Sequence, residues 1–503
     1  MSIKPGVSQG LAGHYQQVDH SSAPILDALV AYRERGDISF TPPGHKQGRG
    51  IDERVAAVLG RDVFAADVMT MNGLDDRLQT GGIVQQAQQL MADAVGADKA
   101  FFSTCGSSLS VKTAMLAVAG PEQKLLINRN AHKSVVAGVI IAGIHPVWIE
   151  PRWDAELHLS YPPGPDVVEK VLHGHVDAKG VVIVTPTDYG TCADLSSITE
   201  VCHRLDRVFL VDEAWGAHLP FHPELPPWAM DAGADLCVTS VHKSGSGLEQ
   251  SSVFHLQGDR VDPAVLKERE DMLGTTSPSP LVYAALDGWR RQMVERGHEL
   301  LEAALALAGE VRASLDELPG LTVMNSQFVG PGKAHEIDPM KVVVDLAELG
   351  ISGYQAVDWL REHRHVNLAL ADHRRMSIAL TYADSRETVD PLLAAVRDLT
   401  KAAEKLPRPK PVTLPAPQEL RLETVMLPRD AFFGRTEQVP AKRAVGRVAA
   451  EMITPYPPGV PAVLPGELIT EPVVEYLRSG LAAGMEIPDA ADPKLKTFKV
   501  HAG

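Results

Sequence analysis

Cysteine is scarce in this chain: four among 503 residues, at Cys105, Cys192, Cys202 and Cys237. No two of them form a CxxC pair, so a zinc knuckle is not indicated and free buried thiols are expected. Positive charge is in deficit. Lys plus Arg number 48 against 64 Asp plus Glu, a formal charge of −16. That argues against nucleic acid or an anionic membrane as a general partner, since both want a basic face. Long apolar runs are missing too. No stretch of about 18 apolar residues occurs, so no transmembrane helix is expected. The first twenty residues, MSIKPGVSQGLAGHYQQVDH, lack the apolar centre of a secretory signal, and a cytoplasmic location is expected.

What is present is ordinary globular material: 45% hydrophobic and 22% charged residues. At roughly 150 residues per domain the length suggests about three domains. Residues 1–60 read as a lead-in, with one helix near Ala23–Arg35 and then Thr41-Pro-Pro-Gly-His-Lys46. Residues 61–320 carry short apolar runs between longer amphipathic stretches. The runs are Lys124–Ile127, Pro146–Ile149, Val181–Thr185, Val208–Asp212 and Leu236–Ser240. Each is apolar on both faces, which suits buried parallel strands. Thr185 to Asp212 covers 27 residues and Asp212 to Ser240 covers 28, each the size of one βαβ crossover. The expected fold class is therefore α/β, a large domain with a mostly parallel sheet.

Residues 321–406 read as a small α+β domain. It would hold a strand Lys341–Leu346, a helix Gly353–His363, a strand Met376–Thr381 and a helix Val389–Glu404. Five prolines between Pro407 and Pro417 mark a linker over 407–420. Residues 421–503 are expected to form a C-terminal α+β domain.

In open parallel sheets, ligands bind outside the carboxyl ends of the strands. Three runs end there in polar groups: Asp212-Glu213, Thr185-Pro-Thr-Asp-Tyr-Gly190 and Ser240-Val-His-Lys243. If these strands are neighbours, Asp212, Thr187 and Lys243 converge on one cleft. A carboxylate, a lysine and hydroxyls together suit pyridoxal phosphate: the lysine takes the aldehyde and the carboxylate keeps the ring nitrogen protonated. Ser103-Thr-Cys-Gly-Ser-Ser108 leads into a helical pattern over Leu109–Val118, whose amino end would seat the phosphate. A strand-end Asp or a Ser-rich helix start is often only a cap. Their order and crossover-sized spacing carry the reading. There is no GxxxxGK, no GxSxG elbow with a plausible triad and no HExxH. His173-Gly-His175 and His363-Arg-His365 lack a third ligand, so no metal is expected.

Taken in order, these blocks resemble the bacterial Orn/Lys/Arg decarboxylases, fold type I pyridoxal phosphate enzymes. The resemblance covers most of the chain. It runs through Pro43–Lys46, Phe102–Ser108, Arg129–Ser134, Pro186–Gly190, Asp212–His218, Gly233–Asp235, Ser240–Lys243, Thr276–Pro278, Asp338–Lys341 and Gly350–Gly353, and ends in Pro455–Gly459 and Pro465–Glu467. It implies roles for matching positions. Lys243 would be the Schiff-base lysine, Asp212 the partner of the pyridinium nitrogen and His132 the imidazole stacked on the ring. Ser107, Ser108, Thr187, Ser240 and His242 would contact or position the cofactor. Reprotonation by Lys243 or His242 would complete decarboxylation of arginine, lysine or ornithine. The family also implies a homodimer, or a higher homo-oligomer, with shared active sites, in which Thr276 and Ser277 would reach the partner's phosphate. The chain resembles the family's short form, which has no N-terminal wing domain.

Departures from the family pattern touch the pocket. Trp215 stands where short-form relatives carry His, and Asp188 where an aromatic residue is common. Asp188 and Glu467 are the two candidates for holding a cationic substrate tail. Two alternatives stay open: another fold type I reaction such as transamination, or a non-catalytic regulatory relative. The retention of Lys243, Asp212 and His132 together speaks against the second. A DNA-binding regulator is disfavoured by the acidic charge and by a lead-in without a helix-turn-helix pattern.

Overall fold

The computed structural model describes residues 18–70, 74, 82–456 and 459–503. The reading of the first twenty residues therefore falls largely outside the described residues, as do Pro457 and Pro458 of the C-terminal motif.

Seven strands form the main sheet. Their order is Lys99–Ser103, Ser252–Leu256, Leu236–Ser240, Val208–Asp212, Gly180–Val184, Lys124–Asn128 and His145–Ile149. The Ser252–Leu256 strand runs antiparallel to both of its neighbours, and the remaining pairings are parallel. All five apolar runs are strands within a residue of their expected bounds, because only a sheet covered on both faces buries such runs. Lys99–Ser103 and Ser252–Leu256 were not among the expected strands. Ser252–Leu256 breaks the apolar run with His255, which is 2% exposed. Burial pushes that imidazole down to about 3, so it lies in the core as a neutral ring against the edge of Trp228.

Helices cover both faces. Ser107–Val118, Lys133–Ala142 and Pro263–Leu273 contribute to one core with Phe101, Ile127, Leu210 and Val238. Ile83–Ala94, Pro165–Gly174, Leu195–Arg204 and the 37-residue helix Pro280–Asp316 contribute to the other. That long helix spans about 55 Å. It anchors the lead-in through a buried pair, Arg290 to Asp287 at 2.9 Å. Asp287 also accepts from the Ile25 amide, and Arg290 donates to the carbonyls of His20 and Ser22. The expected first helix is present as Pro24–Arg35.

Beyond the long helix, a four-stranded antiparallel sheet runs Thr322–Met324, Lys341–Asp345, Arg375–Ala379, Leu370–Ala371. Helices Gly353–Arg364 and Arg386–Ala403 flank it. Residues 407–416 form no regular element. After them, Thr436–Pro440 pairs with Thr497–His501, and Glu471–Ala483 is a helix. Phe498, Val500 and Leu477 of this segment pack with Tyr354 and Ala371 of the small sheet region. Leu464 packs on Val136 and Ile140 of the large domain.

Candidate active site

The carboxyl ends of the parallel strands open into a cavity of about 570 Å³. Its wall is set by strand-to-helix junctions. After Lys99–Ser103, Gly106 caps the helix Ser107–Val118 and puts Ser107 and Ser108 at the cavity. The first amides of a helix have no carbonyl partner within it and favour an anion. Ser240, at the end of its own strand, donates its hydroxyl to Ser107 Oγ at 2.6 Å. After Lys124–Asn128, His132 caps the helix Lys133–Ala142, its Nδ1 accepting from the Ser134 amide at 3.2 Å. Burial, with the Lys243 charge, draws the His132 imidazole down to about 4. It presents a flat, neutral ring at pH 7.

Asp212 ends its strand inside the cavity and is 3% exposed. Its Oδ1 accepts from the Ala214 amide at 3.3 Å. Burial raises the carboxyl to about 6, opposed by the positive charge of Lys243. Such a carboxylate gains most from a bound cation. Lys243 lies in the single turn Val241–Ser244 directly after Leu236–Ser240. Its Nζ is 4.6 Å from the centre of the Trp215 ring. His242 also faces the cavity and is tied down through Nδ1 to the Ser251 carbonyl at 3.1 Å.

The structure thus gathers Ser107, Ser108, His132, Asp188, Asp212, Trp215, His242 and Lys243 around one space. Two sequence expectations need correction. Thr187 turns away: the Asp188 loop reverses within a few residues, and the Thr187 and Thr191 hydroxyls pair at 2.6 Å to close it. Glu467 does not line the cavity. It is 1% exposed and is bonded by Arg129 at 3.1 Å and by the Leu464 amide at 2.8 Å. The same Arg129 donates to the Pro461 and Ala462 carbonyls, so Glu467 fastens the C-terminal segment to the large domain. Thr276 and Ser277 are exposed and away from the cavity.

Asp188 lines the cavity but is already engaged, because the Trp215 indole N–H donates to its Oδ1 at 2.9 Å. Further groups reach the site that motif reading gave no role. Asn130 and Tyr456 line it. Lys341 lies behind Trp215, its Nζ 2.9 Å from the ring centre. A lysine opening an otherwise apolar strand, Lys-Val-Val-Val-Asp345, was the available signal for the last. Gly459 sits on His132 with φ near +94°, and a Cβ there would stand 3.2 Å from the imidazole. Within the Pro455–Gly459 motif, Gly459 is the residue that permits that close approach.

Among the described residues, one cluster elsewhere has metal-like composition: His222, His298 and Glu302. His222 accepts the Glu224 amide at Nδ1, so its Nε2 carries the proton and donates to Glu302 at 3.0 Å. That is a hydrogen bond from a neutral imidazole to a carboxylate, with the nitrogen a metal would need already protonated.

Two family models match the chain: "Orn/Lys/Arg decarboxylase, major domain" over residues 23–388, and the C-terminal domain of the same family over 416–489. Arginine decarboxylase of Halalkalibacterium halodurans is 36% identical over 478 residues, 95% of this chain and 97% of the relative. Arginine decarboxylase of Bacillus subtilis is 37% identical over 480 residues with the same coverage. The Escherichia coli constitutive lysine decarboxylase structure superposes with a TM-score of 0.79 at 20% identity. It covers 96% of this chain and 82% of its own, which supports the fold. The chain belongs to the Orn/Lys/Arg decarboxylase family, the pyridoxal-phosphate-dependent decarboxylases of basic amino acids.

Proposed function

We propose that this chain removes the α-carboxylate of arginine as CO2, giving agmatine, with pyridoxal phosphate as cofactor. The observation that carries the cofactor is the convergence of Lys243, Asp212 and His132 on a cavity headed by the Ser107 helix end. The substrate choice rests on the arginine decarboxylases that match along nearly the whole chain.

The donor set fits the cofactor. Ser107, Ser108 and Ser240 would hold the phosphate with the first amides of the Ser107–Val118 helix. Lys243 would hold the aldehyde. His132 would lie on the ring face. Asp212 would hold the proton of the ring nitrogen, and that cation would return the buried carboxyl to its charged form. Bound there, pyridoxal phosphate supplies an electron sink for the pair left when CO2 departs. His242 or Lys243 would return a proton to Cα. Asp188 and Trp215 would line the same cavity as Asp212.

The same proposal extends to organisation. The large domain would run over 61–320 after a lead-in of 1–60. The small domain would cover 321–406, the linker 407–420 and the C-terminal domain 421–503. The chain would work in the cytoplasm as a dimer, with Thr276 and Ser277 serving the partner's phosphate. Ile38 at 79% and Phe40 at 92% exposed support an interface, since a subunit partner would cover them. Among the described residues, no helix is long and apolar enough to cross a membrane.

The test is CO2 release from arginine, lysine and ornithine with the amine products identified. Agmatine is expected to dominate. A keto acid product, or ornithine or lysine as the preferred substrate, would overturn the reading. Lys243→Ala is expected to abolish both turnover and the borohydride-reducible adduct.

A further inference from the structure

Lys341 opens the strand Lys341–Asp345 of the small sheet and reaches back to the large domain, its Nζ against the Trp215 ring. It is 5% exposed, and its amine has no hydrogen-bond partner among the described residues. Its stem passes Gly190, which has φ near +81°. A Cβ at that position would stand 2.7 Å from Lys341 Cβ, so the turn accepts the lysine only because residue 190 has no side chain.

The charged groups around the amine come from several elements. Asp188 approaches from the loop after Gly180–Val184, and Asp338 from the turn before the lysine's own strand. Lys243 approaches from the turn after Leu236–Ser240. His218, from the loop after Val208–Asp212, faces Asp338 at 3.3 Å. Trp215 joins them: Lys341 lies over its ring, Lys243 stands 4.6 Å from the same ring centre, and its N–H is on Asp188. An unpartnered buried amine is costly to keep for packing alone.

We propose that Lys341 is a positioning residue of this site: it balances Asp188, holds Trp215 against the reactive amine, and acts through them on Lys243. The inference rests on the reading of Lys243 as the cofactor lysine. Capture of an aldehyde needs an amine aimed at it, and the Trp215 ring shared by the two lysines sets where Lys243 stands. Burial draws Lys341 down to about 7, with Asp188 and Asp338 opposing and Lys243 adding to the fall. Its charge therefore changes within the working range. Below that point the ammonium balances Asp188 and holds Trp215, and above it that hold is withdrawn.

The first readout needs no activity. On the protein freed of cofactor, the emission difference between the wild-type chain and Trp215→Phe isolates one of the six tryptophans. One transition near neutral pH is expected. It should vanish in Lys341→Met and also in Lys341→Arg, whose guanidinium stays charged. A transition that persists in both variants, or none in the wild type, overturns the proposal. The second readout is the rate at which Lys243 takes up pyridoxal phosphate at pH 7, trapped by borohydride and located by peptide mapping. It is expected to fall about tenfold in Lys341→Met and to be mostly restored in Lys341→Arg. Equal rates in all three chains, or equal falls in both variants, reject the role assigned to Lys341. An adduct that maps to another lysine in the wild type overturns the reading of Lys243 instead.

Discussion

Two carboxylates line the cavity, Asp212 and Asp188, and they are held differently. Asp212 ends a buried strand and accepts one long backbone bond, and burial lifts it to about 6. Asp188 lies in a loop, takes the Trp215 indole proton and has Lys341 nearby. The first is under-satisfied and suits an incoming cation. The second is already partnered by the protein. A cationic substrate tail at Asp188 would have to compete with groups already there, so equal chemistry at the two positions does not give equal function. The same contrast separates Glu467 from the cavity: Arg129 bonds its carboxylate inside the protein, where burial still pushes the carboxyl up.

The largest expected effect comes from the group beside the partnered carboxylate. Lys341 is depressed from 10.5 to about 7, so the unfolded chain binds more protons between those values. Its cost is fully present below pH 7 and fades as the pH rises toward 10. Lys341→Met should therefore raise stability below pH 7, by on the order of 5 kcal/mol in the fully buried limit. The gain should shrink toward pH 10. Thermal melts of the cofactor-free proteins across that range measure it. A gain independent of pH would remove the buried charge from the account.

Next in size is the under-satisfied carboxylate. Asp212→Asn keeps the shape and removes the charge that holds a ring-nitrogen proton. A loss of about a thousandfold in kcat, about 4 kcal/mol, is expected with the cofactor still bound. Retained turnover would show that Asp212 is not needed for the electron sink.

The smallest effect tests the correction at Glu467. Glu467→Ala leaves Arg129 without its carboxylate at 12% exposure, and a loss of about 3 kcal/mol in stability is expected. The KM for arginine should stay within about twofold. A large rise in KM with stability unchanged would restore Glu467 to the substrate site.

Legibility followed the distance over which each feature is encoded. Lys243 stands three residues after its strand and Asp212 ends its own. Such junctions show in sequence because an apolar run ends where the polar residue begins. Thr187 sits at an equally visible junction, yet the loop needed its hydroxyl for its own turn. Glu467 and Arg129 are 338 residues apart, and no local pattern announces such a pair. The strand Ser252–Leu256 was obscured by a histidine that burial makes neutral.

By itself the sequence determined the parallel strands, the order of the site motifs along them and the net negative charge. Buried strands need continuous apolar runs, and polar residues gather where those runs stop. Only the tertiary structure decided which of the polar groups remain available. It brought Lys341 from a second sheet behind Trp215, gave Asp188 its partner and took Glu467 out of the cavity. Desolvation and pairing depend on neighbours remote in the chain, and they decide whether a charged residue binds a ligand or is consumed by the fold.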